Sequence, residues 1–231
     1  MERTEIEIQL GVNFEEDWKP VYHANGFSFL IMPVITQEKP VSIQLFNWGL
    51  IPHWVKTKFD ADKIRAQTLN ACSETVFEKP SFRSSIINSR CLILADGFFE
   101  WMDFQKKKYP HFIYLKDKKW FCFAGIHSEW TDKETGEHIK TYSILTTAAN
   151  PMMARIQNSK ERMPVIVPPQ HYKKWLSTGL NKNELRSFFD PYPQKEMEAY
   201  TISKLITSHS QDSNVPEIKE PYQYPELQLA E

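Results

Sequence analysis

Apolar and β-branched residues fall in short runs separated by polar or proline-bearing links. The runs Phe27–Ile35, Val41–Trp48, Arg90–Ala95, His111–Leu115, Trp120–Ile126 and Lys140–Thr147 read as strands. The links Asp103–Lys108, Lys116–Lys119 and Asp132–Glu137 are short, which predicts antiparallel pairing across them. Helical patterns are fewer and shorter. Asp60 is expected to cap a helix running to about Leu69, and Asn150 followed by Pro151 is an N-cap and N1 pair for a short helix bearing Met152, Met153 and Ile156. Pro168-Pro169 introduces a helix carrying Tyr172, Trp175 and Leu176, and Asn181 with Glu184 opens a capping box for Leu185–Phe189. No repeat, low-complexity tract or linker interrupts the chain. The expected fold is α+β, a mainly antiparallel mixed β architecture with short peripheral helices. One domain is expected over residues 1–231, with a lead-in at 1–20 and an irregular surface tail at 209–231.

Composition narrows the class. The 231 residues carry a formal net charge of -1, so any nucleic-acid site must be a local patch. Gly is scarce at 7 and Pro abundant at 15, so turns must rest on Pro, Asn and Asp. Cys72, Cys91 and Cys122 show no CxxC spacing, which argues against a disulfide scaffold or structural zinc. The seven histidines show no HxH or HExxH spacing, so neither metal nor cofactor is expected. The N-terminus lacks an apolar signal region, and no apolar run reaches the roughly 18 residues of a membrane span. The expectation is a soluble cytoplasmic protein without a membrane partner.

Two segments carry candidate chemistry. Glu100 stands between Phe99 and Trp101, just after the Asp96-Gly97 turn. A carboxylate among aromatics would be desolvated and suited to acid–base work, whereas a glutamate alternating outward from a strand end is the commoner outcome of such spacing. Asn70 ends a Thr-Leu-Asn stretch and, taken alone, reads as a turn or cap residue. Trp48, Trp54 and Trp101 lie near turns; exposed they would stack bases, and buried they are ordinary core aromatics. Cys91 and Cys122 read as small buried hydrophobes, and Lys106-Lys107-Lys108 as a solvated hairpin tip.

In order, Asn47-Trp48-Gly49-Leu50-Ile51-Pro52-His53-Trp54, Leu69-Asn70-Ala71-Cys72-Ser73-Glu74, Arg90 to Trp101, Ile144 to Asn150 and Arg162-Met163-Pro164-Val165-Ile166 resemble the SOS-response-associated peptidase (SRAP) family. The resemblance runs from about Val21 to the helix around Trp175. It implies a mixed, mainly antiparallel β fold and a partner, single-stranded DNA containing abasic sites. It also implies a chemistry in which an N-terminal cysteine condenses its α-amine with the abasic aldehyde and closes a thiazolidine with its thiol. By the same resemblance Asn70 orients the adduct, Glu100 is the acid–base carboxylate and Thr146 is a supporting hydroxyl. Trp48, Trp54 and Trp101 then line the DNA groove and Arg162 meets phosphate. The family's name adds an SOS-response, hydrolase or peptidase reading, and its cross-linking chemistry a lyase-type one.

The sequence departs from this pattern at three places. Glu2 stands where the family has its cysteine, so either the sequence starts short of that residue or the protein is a relative with lost or impaired cross-linking. Gln157, in Ile156-Gln157-Asn158, replaces the family histidine; it retains hydrogen bonding and loses proton transfer near pH 7. Cys72 stands where many members have arginine, which removes a phosphate contact, and it has no α-amine beside it for ring closure. The alternative to abasic-site capture is a non-catalytic module that binds single-stranded DNA.

Overall fold

The structure is a computed structural model that describes residues 3–208 and 210–228. Its strands, in chain order, are β1 (Asn13–Phe14), β2 (Ile31–Thr36), β3 (Ser42–Trp48), β4 (Asn70–Cys72), β5 (Arg90–Ala95), β6 (Phe98–Phe104), β7 (Lys107–Leu115), β8 (Phe121–Thr131), β9 (His138–Ala148), β10 (Arg162–Pro164), β11 (Ile166–Val167) and β12 (Met197–Thr201). The helices are α1 (Arg3–Leu10), α2 (Lys58–Arg65), α3 (Ser85–Asn88), α4 (Pro151–Ile156), α5 (Tyr172–Trp175), α6 (Lys182–Arg186) and α7 (Pro225–Gln228). The α+β expectation holds.

Neighbouring strands follow the order β3, β2, β5, β8, β9, and a parallel pairing of β9 with β3 closes the ring into a barrel. That closure rests on Asn47 opposite Thr141 and Trp48 opposite Tyr142. Beyond it, β4 takes over the same edge of β9, with Asn70, Ala71 and Cys72 opposite Ile144, Leu145 and Thr146. The other edge of β9 leaves β8 near Ile144, and the fork is filled by β10 against β9 and β11 against β8. A separate antiparallel sheet, β6–β7–β12, packs against the barrel.

Alternation along the strands divides the interior. Leu92, Leu94, Ala124 and Ile126 join a cluster completed by Ile6 of α1, Trp175 and Phe189. Cys91, Ile93 and Phe123 join a second cluster with Phe46, Tyr142, Ile113 of β7 and Met153 of α4. Gly125 is obligatory in this second layer, because a Cβ there would lie 2.1 Å from Ile93 Cδ1 and 3.1 Å from the Ser143 carbonyl oxygen.

Several boundaries differ from expectation for local reasons. The run from Phe27 begins as a one-turn 3-10 helix, because the Asn25 side chain accepts from the Phe27 N–H at 3.0 Å and Phe29 turns to φ 49°. Thr57 caps α2 in place of Asp60, and the helix ends at Arg65. The tail after Ser208 is tied down rather than merely draped: Ile218 is fully buried, and Asn214 Oδ1 accepts from the Tyr22 and His23 N–H groups at 2.8 and 3.2 Å. Lys219 meets Asp96 at 2.6 Å.

Gly125→Ala is expected to cost about 1–3 kcal/mol in urea unfolding through overpacking, and Ile93→Val in that background should recover part of the loss because it deletes the clashing methyl. Additive losses would show that the Gly125–Ile93 approach is not the constraint.

Candidate functional site

Gln105 and Lys106, at φ 47° and 62°, form the two-residue turn between β6 and β7 and set the register of the hairpin. That register places Glu100 opposite His111, with Phe98 opposite Ile113 on the same face. Phe98 and Ile113 belong to the second interior cluster, so Glu100 is turned toward the barrel, while Phe99 and Trp101 pack on the other face. Burial pushes the Glu100 carboxyl up to about 7, against the opposing pull of the Trp101 backbone N–H and the Lys160 charge. Desolvation wins because the ammonium and one N–H replace only part of the lost hydration.

Asn70 lies on β4, opposite Ile144, itself a member of the second interior cluster. The Leu69 carbonyl accepts from Trp48 Nε1 at 2.8 Å and from the Ile144 N–H at 3.1 Å, which fixes the backbone immediately before it. The Asn70 side chain is exposed and, among the described residues, has no hydrogen-bond partner. An unpaired amide on a fixed strand is available to a ligand. Thr146 lies two pairs further along, opposite Cys72. Its hydroxyl accepts from Arg162 Nε at 3.3 Å and its carbonyl from Arg162 Nη2 at 2.8 Å.

The segment from Gln157 to Arg162 connects the two halves. Gln157 Oε1 accepts from the Lys160 and Arg162 N–H groups, both at 3.2 Å, so its oxygen is committed to the loop. Asn158 clamps the Asp103 backbone of β6, accepting at 3.0 Å and donating at 2.9 Å. Arg162 forks onto both oxygens of Glu74 at 3.0 and 2.8 Å. The Arg162 bond holds the Glu74 carboxyl below its ordinary range, so a phosphate would have to share or displace that partner.

The tryptophans diverge. Trp48 stacks on Tyr142 at 6.2 Å and spends its N–H on Leu69, so it positions Asn70. Trp101 lies on the face of β6 opposite Glu100, among Phe112, Tyr114 and Tyr200. Trp54 is 49% exposed and walls a hollow with Pro52, His53, Pro80 and Arg83. Sequence reading missed Glu74, Asn158, Lys160 and His111. Only His111 had a usable signal, because counting outward from the Gln105-Lys106 turn pairs it with Glu100. Among the described residues no group of three or more His, Cys, Asp or Glu could hold a metal ion, and no helix is long and apolar enough to cross a membrane. Position 2 lies outside the described residues.

A closed barrel with an appended sheet, carrying an unpaired amide on β4 and a neutralisable carboxylate on β6, defines the class of protein. The chain belongs to the family described as SOS response associated peptidase (SRAP), whose profile matches residues 2–209. It is 36% identical over 208 residues to the abasic site processing protein YoqW of Bacillus subtilis, covering 89% of this chain and 88% of that protein. It is 33% identical over 150 residues to the abasic site processing protein HMCES of Gallus gallus, covering 56% of this chain and 44% of that one. A crystal structure of a Bacteroides thetaiotaomicron protein matches with a TM-score of 0.90 and 38% identity, covering 96% of each chain.

The raised Glu100 pKa has a sign in stability. Between about pH 4.5 and 7 the folded state retains a proton that the unfolded state releases, so this group's contribution falls as pH rises through that window. Glu100→Gln should therefore gain about 2–3 kcal/mol over wild type at pH 8 and converge with it below pH 4.5, read by urea unfolding at each pH. A constant difference across that range would show that Glu100 titrates normally.

Proposed function

We propose that this protein recognises abasic sites in single-stranded DNA, with Glu100 moving protons and Asn70 orienting the adduct. The observation that carries this reading is the Glu100 carboxyl, held near neutrality by burial on the barrel-facing side of β6. An abasic aldehyde reacts with a neutral amine, and an α-amine with an ordinary pKa of about 7.7–8.0 supplies one at physiological pH. Amine addition gives a carbinolamine. Protonated Glu100 gives its proton to the departing hydroxyl, water leaves, and an iminium forms. The Asn70 amide is free to hold a sugar hydroxyl or the former aldehyde oxygen. The free face of Trp54 suits a neighbouring base, and Arg162 suits a phosphate once it shares Glu74.

Ring closure to a thiazolidine needs a thiol beside the reacting amine. A chain that reads Glu2 at the family's cysteine position can form only the imine there, and one that begins with cysteine would close the ring. Gln157 favours the second reading, a non-catalytic single-strand-binding module, because its oxygen is engaged by the loop and its amide transfers no proton.

Incubation with abasic and intact single-stranded oligonucleotides, followed by denaturing gels with and without borohydride, separates the readings. The expected result is an adduct that depends on both the abasic site and borohydride, and that Glu100→Gln slows about 10²-fold or more. Binding without an adduct supports the module. Equal affinity for abasic and intact strands contradicts abasic-site recognition.

A further inference from the structure

The row of residues across the appended sheet is Glu100 on β6, His111 on β7 and Thr201 on β12. Directly opposed residues share a face, with Cβ atoms about 4.5–5.5 Å apart, so the two side chains leave the sheet side by side, within reach of each other by rotation though not hydrogen-bonded at rest. His111 is 9% exposed. Its Nδ1 lies 2.9 Å from the Tyr109 carbonyl oxygen, an atom that can only accept, so Nδ1 carries the hydrogen and Nε2 of the neutral ring carries the lone pair. Meanwhile Gln157, at the position where relatives of this fold are expected to hold an imidazole, is fastened to its own loop.

We propose that His111 is the imidazole partner of Glu100 in this chain, a positioning residue that restores the proton Glu100 gives up. The proposal rests on the abasic-site reading for its reaction and on the hairpin register for its geometry. After Glu100 has protonated the departing hydroxyl, a carboxylate remains in a desolvated position. His111 Nε2 takes one proton from solvent, pairs as imidazolium with that carboxylate, and then passes the proton to it. One proton enters from water and one leaves in the water released, so both side chains return to their starting states.

The surroundings suit the exchange. Burial raises the carboxyl to about 7 and lowers the imidazole from its ordinary value, which inverts their order, so an imidazolium beside the carboxylate passes its proton downhill. Lys160 acts on Glu100 from the connecting loop, β12 contributes the neutral Thr201, and α4 contributes Arg155, which is exposed. On β7 itself the Tyr109 phenol is turned to Glu226.

The direct test follows the His111 ring nitrogens by long-range ¹H–¹⁵N NMR in the full chain as pH is raised. In wild type the His111 ring nitrogens should show, besides their own titration, a second inflection near pH 7 as Glu100 ionises beside them, and Glu100→Gln should remove that inflection. A His111 titration identical in wild type and Glu100→Gln overturns the proposal. The second arm uses His111→Asn, whose amide can still donate to the Tyr109 carbonyl. Its borohydride-trapping rate on an abasic oligonucleotide should drop about tenfold or more, with affinity for that oligonucleotide within about twofold. Gln157→His in that background should restore part of the rate. Coupled titration with an unchanged trapping rate also overturns the proposal. If wild-type protein shows no preference for abasic DNA, the functional reading fails, while the titration still decides whether the pair is coupled.

Discussion

Closing a twisted sheet into a barrel leaves a seam, and here the seam is two residue pairs long: Asn47 with Thr141 and Trp48 with Tyr142. Trp48 serves it three ways. Its backbone pairs with β9, its ring stacks on Tyr142, and its indole N–H holds the Leu69 carbonyl. The Gly49 N–H donates to the Tyr142 carbonyl at 2.9 Å and extends the seam by one bond. Without this closure β4 would have no edge to follow and Asn70 no fixed backbone. The candidate site therefore depends on a tryptophan that does not face it.

The chemistry at the site is governed by unequal hydration. Glu100 loses more solvation than one N–H and a distant ammonium return, so its proton is retained to about pH 7. Glu74, with both oxygens on Arg162, sits in the opposite situation and is held ionised. The two carboxylates are thus divided between roles by their partners: Glu74 holds a cation in place, and Glu100 can exchange a proton. The 157–162 loop is tied to both neighbourhoods, with Asn158 on the Asp103 backbone of β6 and Arg162 on Thr146 of β9 and on Glu74.

Local signals in the sequence were legible where a side chain completes its own segment. Arg90–Ala95 is a strand with those bounds, Asn150 caps the helix that Pro151 opens, and Asn181 with Glu184 closes a capping box. What escaped depends on distant partners. β10 and β11 are two or three residues long and fill the fork between β9 and β8, and the three-residue β4 continues the edge of β9 that β3 leaves, which no window of sequence reveals. Ile218 and Tyr224 read as part of a polar tail, yet both are buried. Asn70 and Glu100 could be nominated from family order, but spacing alone favoured bland roles for both. The burial that distinguishes Glu100 comes from a barrel assembled by residues far along the chain.

The central claim is that a carboxyl at this site is kept protonatable near neutral pH to serve an abasic site. The most direct measurement is a ¹³C NMR titration of the Glu100 carboxyl carbon, performed with no DNA, with an intact single strand and with an abasic single strand. The account predicts a midpoint near 7 in the free protein that shifts with the abasic strand and not with the intact one. A midpoint near 4.5, or the same response to both strands, would contradict it.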